Sequence, residues 1–328
     1  MDADDIDEVL QAYRYPQSIT DLGNFYFYFG PLSVFINIST FILIYTKTPL
    51  AMKTIRDTLL VLQVILTFMD IVMFVCRPFA FIPHILIIVY GFFDSPTSIN
   101  LQVVLIIILL YVSISTSHIL LYQRFRTLLK ANTFFKLIST DVRYIIALNI
   151  VFSVTAVPLF FIFITSNQED SRQYFLENHP WSHEIITNRA VCVVQIKSLY
   201  HTLILFIAFL GIFEHFVALI IAVICMKLVN EVSSNTASKQ ARLIQKRFTH
   251  VLIAQVVIPT LAILLPACLA TTSILLTLRT KWNGILIELG IISISFYATT
   301  SSLCKVVCCC NYRMVLWNVC CKTKVYSV

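Results

Sequence analysis

The chain has 328 residues, 58% of them apolar and only 12% charged, with a net charge of +7 and a mean hydropathy of +0.84. Soluble domains carry about a quarter charged residues, so a soluble fold is excluded and lipid must solvate most of the chain. Long unalternating apolar runs and only six glycines also exclude a lipid-spanning barrel, whose strands alternate apolar and polar residues.

Residues 1–24 are acidic and polar. They hold no basic region followed by an apolar stretch, so no cleaved signal peptide is expected. The first apolar run then serves as the signal anchor. Seven apolar runs follow, at Phe25–Tyr45, Thr58–Cys76, Ile99–Tyr122, Tyr144–Thr165, Leu199–Met226, Val251–Leu278 and Ile285–Cys304. Each is near the roughly 20 helical residues needed to cross a bilayer. Segments 1–24, 77–100, 166–198 and 279–283 sum to a charge of −4, whereas 46–57, 123–143, 227–250 and 305–328 sum to +14. Lys and Arg concentrate in cytoplasmic loops. The expectation is an all-α membrane protein, a seven-transmembrane helix bundle with its N-terminus outside and C-terminus inside. It divides into an extracellular terminus (1–24), a seven-helix domain (25–304) and a cytoplasmic Cys-rich tail (305–328). Partition of charge by loop removes the case for a nucleic-acid surface; the basic loops equally suit anionic lipid.

Polar groups within spans are costly and merit a functional reading. Asp70 lies deep in the second span, Asn37 in the first, His118 in the third, Glu214 and His215 in the fifth, and Glu288 near the outer end of the seventh. For Asp70 and Asn37 the favoured reading is a network tying helices together. Arg77 and Glu288, near the outer surface, are better placed for a ligand pocket, with Gln102, Tyr200 and His201 completing its expected lining. Scatter of the ionisable groups over four spans argues against a proton or ion path. One intramembrane Asp is too few for an aspartyl protease, and an enzyme is not expected.

The second outer segment, 166–198, reads as a long polar loop. Its His179 and His183 are spaced as i and i+4, but Pro180 lies between them and no third ligand is evident, so no metal is expected. No cofactor is implied. Asn37-Ile38-Ser39 matches a glycosylation site but lies inside a span. Cys76 and Cys192 sit toward the outer face, where they either pair or remain separate thiols. Val251–Leu278 holds no Asp, Glu, Lys, Arg or His, and Pro259 and Pro266 fall two turns apart on nearly one face. Each lacks an N–H and crowds the carbonyl one turn back, so a bend is expected, either a moving hinge or a packed kink. Lys239, Arg242, Lys246 and Arg247 precede it. In the tail, Cys308, Cys309, Cys310, Cys320 and Cys321 lie among basic residues, the setting of S-palmitoylation.

Several motifs together resemble the nematode seven-transmembrane serpentine chemoreceptors of the Str superfamily, class H (Srh) first and class I next. Thr48-Pro49-Leu50-Ala51-Met52-Lys53 is similar to the family's Thr-Pro-x-x-Met-Lys turn, followed by Leu59-Leu60 and Asp70. Pro78-Phe79, Phe81, Pro83 and then Gly91 resemble its pattern after the second span. Gln255, Pro259 and Pro266 match Gln-x-x-x-Pro-x-x-x-x-x-x-Pro, the most specific of the set. Thr299–Ser302 resembles its Ser-Thr segment. Tyr122-Gln123-Arg124-Phe125 stands where the family shows Glu-Asn-Arg-Tyr, and Asn311-Tyr312-Arg313 where it shows Pro-Tyr-Arg; both arginines are kept.

The resemblance implies a G-protein-coupled chemosensory receptor in the plasma membrane of neuronal sensory cilia. Its partners would be a small-molecule ligand in the outer half, a heterotrimeric G protein and membrane lipid. Arg124, Arg126, Lys246 and Arg247, with Arg313, would edge the inner cleft. The rival readings are a channel or transporter, and a receptor-like chain that does not signal.

Overall fold

The fold is taken from a computed structural model, which describes residues 17–48, 53–81, 86–91, 99–128, 168–178, 183–188, 191–193, 213, 215–229, 239–264 and 282–308. Its long helices are α1 (Gln17–Lys47), α2 (Lys53–Cys76), α3 (Ile99–Leu128), α7 (Lys239–Pro259) and α8 (Trp282–Cys308). Shorter ones are α4 (Gln168–Asn178), α5 (His183–Asn188) and α6 (His215–Val229). Within them Thr20–Lys47, Ile55–Cys76, Leu101–Gln123 and Leu289–Val307 are each long and apolar enough to cross a membrane. These are the first, second, third and seventh expected spans. The fourth, 144–165, and residues 199–212 of the fifth lie outside the described residues.

The first helix is more polar on its buried face than a helix of a soluble bundle. On α1 the buried positions Leu22, Tyr26, Gly30, Ser33, Asn37, Thr40, Leu43 and Ile44 follow one helical face, and Ser33, Asn37 and Thr40 among them are polar. The opposite face carries Phe27, Phe35 and Ile42, all more than half exposed. Lipid is as apolar as Leu, so burial of hydrocarbon gives no drive to associate; close packing and interhelical hydrogen bonds hold such helices together. At Gly30 an added Cβ would lie 2.5 Å from Cδ2 of Phe74, so the missing side chain lets α1 and α2 approach. Phe25, Phe29 and Phe296 interlock α1 with α8, with ring centroids 4.5 to 5.6 Å apart.

At one end of the bundle the chain does something hydropathy did not indicate. α2 stops at Arg77, whose backbone is left-handed (φ 47°) and whose N–H bonds to Met73 O at 2.9 Å. The chain then forms β1 (Pro78–Phe81) and β2 (Leu86–Val89), an antiparallel hairpin. β3 (Val191–Val193), from the second long connection, joins the other edge of β2. Gly91 closes the hairpin against α2: its N–H bonds to Cys76 O, and a Cβ there would fall 1.7 Å from Val75 O.

The expectation of a polar, solvated second outer segment is therefore corrected. Phe175, Ile185, Ile186, Val191 and Val193 are buried. α4 covers the open edge of β3: Gln168 accepts from Val193 N–H and donates to Val193 O, both at 2.9 Å, and Arg172 donates to Val191 O at 2.8 Å. An edge strand left bare is a template for pairing with another chain; here side-chain amide and guanidinium complete it. His179 lies outside the described residues, and among those described no group of three His, Cys, Asp or Glu is placed to hold a metal.

Cys76 and Cys192 are both free and buried. Cys192 pairs with Ile87, whereas Cys76 abuts Gly91. The two thiols remain separate. Burial pushes the Cys192 thiol up to about 12, with Arg172 pulling weakly the other way.

Candidate functional site

Three sets of residues stand out: the sheet end of the bundle, a polar core midway, and a basic rim at the opposite end.

At the sheet end, Arg77 caps α2. Its guanidinium lies over the Phe74 ring, 5.6 Å from the centroid, and its Nε donates to Phe74 O at 3.3 Å. Gln102, in the first turns of α3, is buried. Both expected pocket residues thus sit at one end of the bundle, under or beside the sheet. Glu288 is placed by its helix alone, in the early part of α8; Tyr200 and His201 lie outside the described residues.

The polar core is continuous. Asp70 accepts from Asn37 Nδ2 at 2.6 Å and from the Ser33 hydroxyl, which also meets Thr299. Asn37 Oδ1 accepts from Gln63 Nε2 at 2.9 Å and from the Ser302 hydroxyl. Gln63 Nε2 also donates to Ser302 Oγ at 2.7 Å, and Gln63 Oε1 accepts from Lys305 Nζ at 2.8 Å. One hydrogen-bonded chain therefore crosses α1, α2 and α8. Tyr26 and Ser295 add a second α1–α8 link at 3.0 Å. The reading of Asp70 and Asn37 as helix-tying groups fits this geometry. Gln63 and Lys305 were missed. Lys305 falls where the tail was expected to begin, yet α8 continues to Cys308 and buries it. A signal was present: Ser295, Thr299, Ser302 and Lys305 recur at helical spacing and make one polar stripe.

Two further contacts join helices in this zone. Ser301 donates to Gln255 Oε1 at 2.6 Å, and Gln255 Nε2 donates to Ser301 O at 3.3 Å, tying α7 to α8. His118 of α3 meets His215 of α6 edge-on, with centroids 5.1 Å apart. One turn beyond Gln255, Pro259 ends the α-helical geometry and Thr260–Leu264 form a π turn. Proline cannot supply the N–H due to the carbonyl of residue 255, and a π turn is a common way to absorb such a break. Pro266 lies outside the described residues.

At the opposite end, Leu121 and Phe125 of α3 pack with Val256 of α7 and Ala218, Ala222 and Cys225 of α6. The helices at this end carry Arg124 and Arg126 on α3 and Lys246 and Arg247 on α7, four residues expected at the inner rim. Arg126 is exposed; Arg124, Lys246 and Arg247 are placed by their helices alone. Cys308 is the last residue of α8. Cys309, Cys310, Arg313, Cys320 and Cys321 lie outside the described residues.

The family profile described as serpentine type 7TM GPCR chemoreceptor Srh matches residues 18–322. The chain belongs to that family. Membership makes it a multi-pass membrane protein of the chemoreceptor class. No curated protein matches the chain. Within an Srh chemoreceptor, the Gln-x-x-x-Pro motif acquires a structural meaning here. Gln255 is the α7–α8 tether and Pro259 the start of the π turn directly above it.

Proposed function

We propose that this Srh chemoreceptor binds a small ligand at the sheet end and signals to a heterotrimeric G protein at the opposite end. The sheet end faces outside and the basic rim faces the cytoplasm. The carrying observation is the π turn after Pro259, one turn beyond the Gln255 tether to α8 and on the helix that begins with the basic foot. A break at one turn is a place where a helix can repack, and a ligand shifts such an equilibrium only by differential affinity. Arg77, Gln102, Tyr200, His201 and Glu288 would line the ligand site. Arg124, Arg126, Lys246, Arg247 and Arg313 would meet the G protein, with Pro259 and Pro266 as hinge. The receptor would reside in the plasma membrane of sensory cilia. Acyl chains on Cys308, Cys309, Cys310, Cys320 and Cys321 would hold the tail to the inner leaflet; a single chain anchors weakly, and two or more suffice.

A channel or transporter is disfavoured by the way the buried polar groups are used. Asp70, Asn37 and Gln63 bond to one another, leaving them committed to helix packing rather than to a conducting path. The test is expression with a promiscuous G protein and a screen of small volatile and water-soluble cues. A saturable response that Pro259→Ala weakens by tenfold or more, at equal surface delivery, is expected. Silence across the screen with confirmed delivery would count against signalling.

A further inference from the structure

The polar core has a direction. Lys305 can only donate, so it fixes the oxygen of Gln63 toward itself. The Gln63 amide nitrogen must then face Asn37 Oδ1 and Ser302 Oγ, where it is found at 2.9 and 2.7 Å. With its oxygen occupied, Asn37 turns its nitrogen to Asp70, which accepts at 2.6 Å. Every donor and acceptor runs one way, from ammonium through two amides to carboxylate. Asp70 and Lys305 are both buried, and neither meets an opposite charge directly among the described residues. Gln63 and Asp70 are seven residues apart on α2, so the two charges stand roughly 10 Å apart.

We propose that Asp70 and Lys305 form one charge pair, coupled through the amides of Asn37 and Gln63, that clamps α8 to α1 and α2 and opens by withdrawal of Lys305. Two features make Lys305 the moving part. It sits one turn from the end of α8 at Cys308, and its four-carbon stem can carry the ammonium to the water beyond the helix end. Asp70 lies mid-helix, two turns further in, and cannot follow. Uncoupling either amide, or neutralising Asp70, removes what holds the ammonium inside. Neighbouring hydroxyls at Ser33, Thr299 and Ser302 hold the amides in register, but they carry no charge and can reverse their polarity. The regulatory meaning of the clamp rests on the chemoreceptor reading above. Its physical test needs neither ligand nor G protein, so a silent signalling screen would count against that reading and leave the clamp standing.

The test uses the full chain purified in detergent, a water-soluble amine-reactive ester and mass-spectrometric readout at Lys305, with exposed Lys47 as reference. In the native chain Lys305 should label at least tenfold less than Lys47. Asp70→Asn, which keeps size and shape, should raise labelling of Lys305 several-fold although the change is about 10 Å away. Gln63→Leu, which leaves both charges intact, should do the same. The melting temperature lost in Lys305→Met should be at least half recovered in Asp70→Asn/Lys305→Met, and this arm remains decisive if Asp70→Asn alone does not fold. Lys305 unreactive in folded Asp70→Asn, or losses that simply add in the double variant, would overturn the proposal.

Discussion

Asn37→Leu isolates what the polar core contributes to stability. Leucine keeps the branching of asparagine at Cγ but is larger, so the substitution removes polarity, leaves no void, and adds some packing strain at the α1–α2–α8 contact. Three partners on other helices lose their bonds to this side chain: Asp70, Gln63 and Ser302. Interhelical hydrogen bonds in membranes are worth about 0.6 kcal/mol on average and about 1.7 kcal/mol at most. Three of them give a loss of about 2 kcal/mol, with a ceiling near 5 kcal/mol. The lower figure is favoured, because Gln63 keeps Ser302 and Lys305, and Asp70 keeps Ser33. Equilibrium unfolding in mixed detergent, titrated with a denaturing surfactant, reads the difference directly. A change below about 0.5 kcal/mol would mean that hydrogen bonding through Asn37 does not hold these helices together.

Gly91→Ala places a methyl carbon on the Val75 carbonyl, and neither partner is a flexible side chain. Folded yield should drop several-fold relative to Gly23→Ala, whose Cβ would meet only Tyr90 at 3.7 Å. Cys192 tests the burial of β3 by pH. Its thiol is raised to about 12, so the reactive thiolate is scarce below that value and grows as pH rises toward it. At pH 9 it should be almost wholly protonated, whereas an ordinary exposed cysteine is mostly ionised. Maleimide or iodoacetamide mass mapping should find Cys192 unmodified at pH 9 in the native chain and modified after unfolding; ready labelling of the native chain would show that the sheet is not closed over it. Gln168→Ala bares the edge of β3, and amide hydrogen exchange at Val193 should accelerate by tenfold or more while α1 and α2 stay protected.

The helical frame was legible because lipid leaves a coarse signature. Apolar runs near 20 residues long and the sign of loop charge depend on composition alone, and α1, α2, α3 and α8 fall where those runs lie. Asp70 and Asn37 were legible for the same reason: a polar side chain in hydrocarbon needs a partner. Lys305 was not, because a lysine at the end of a run reads as a boundary, and only its spacing from Ser302 and Thr299 places it on the buried face. The sheet was hidden by length. Leu86–Val89 and Val191–Val193 are apolar and mostly β-branched, but runs of three or four residues give no period. Their pairing joins positions a hundred residues apart, which local pattern does not report. The cover that Gln168 and Arg172 form over β3 was likewise invisible, since a helix of mostly polar residues resembles a solvated loop until its one buried face is known.

The receptor reading requires the sheet end outside and the basic rim inside. Epitopes placed before residue 17 and after residue 308 in intact, unpermeabilised cells test this most directly. The account predicts antibody access to the first without permeabilisation and to the second only after it. Access to both, or to the second alone, would contradict an odd number of crossings with the cationic rim in the cytoplasm, and with it the sites assigned to ligand and G protein.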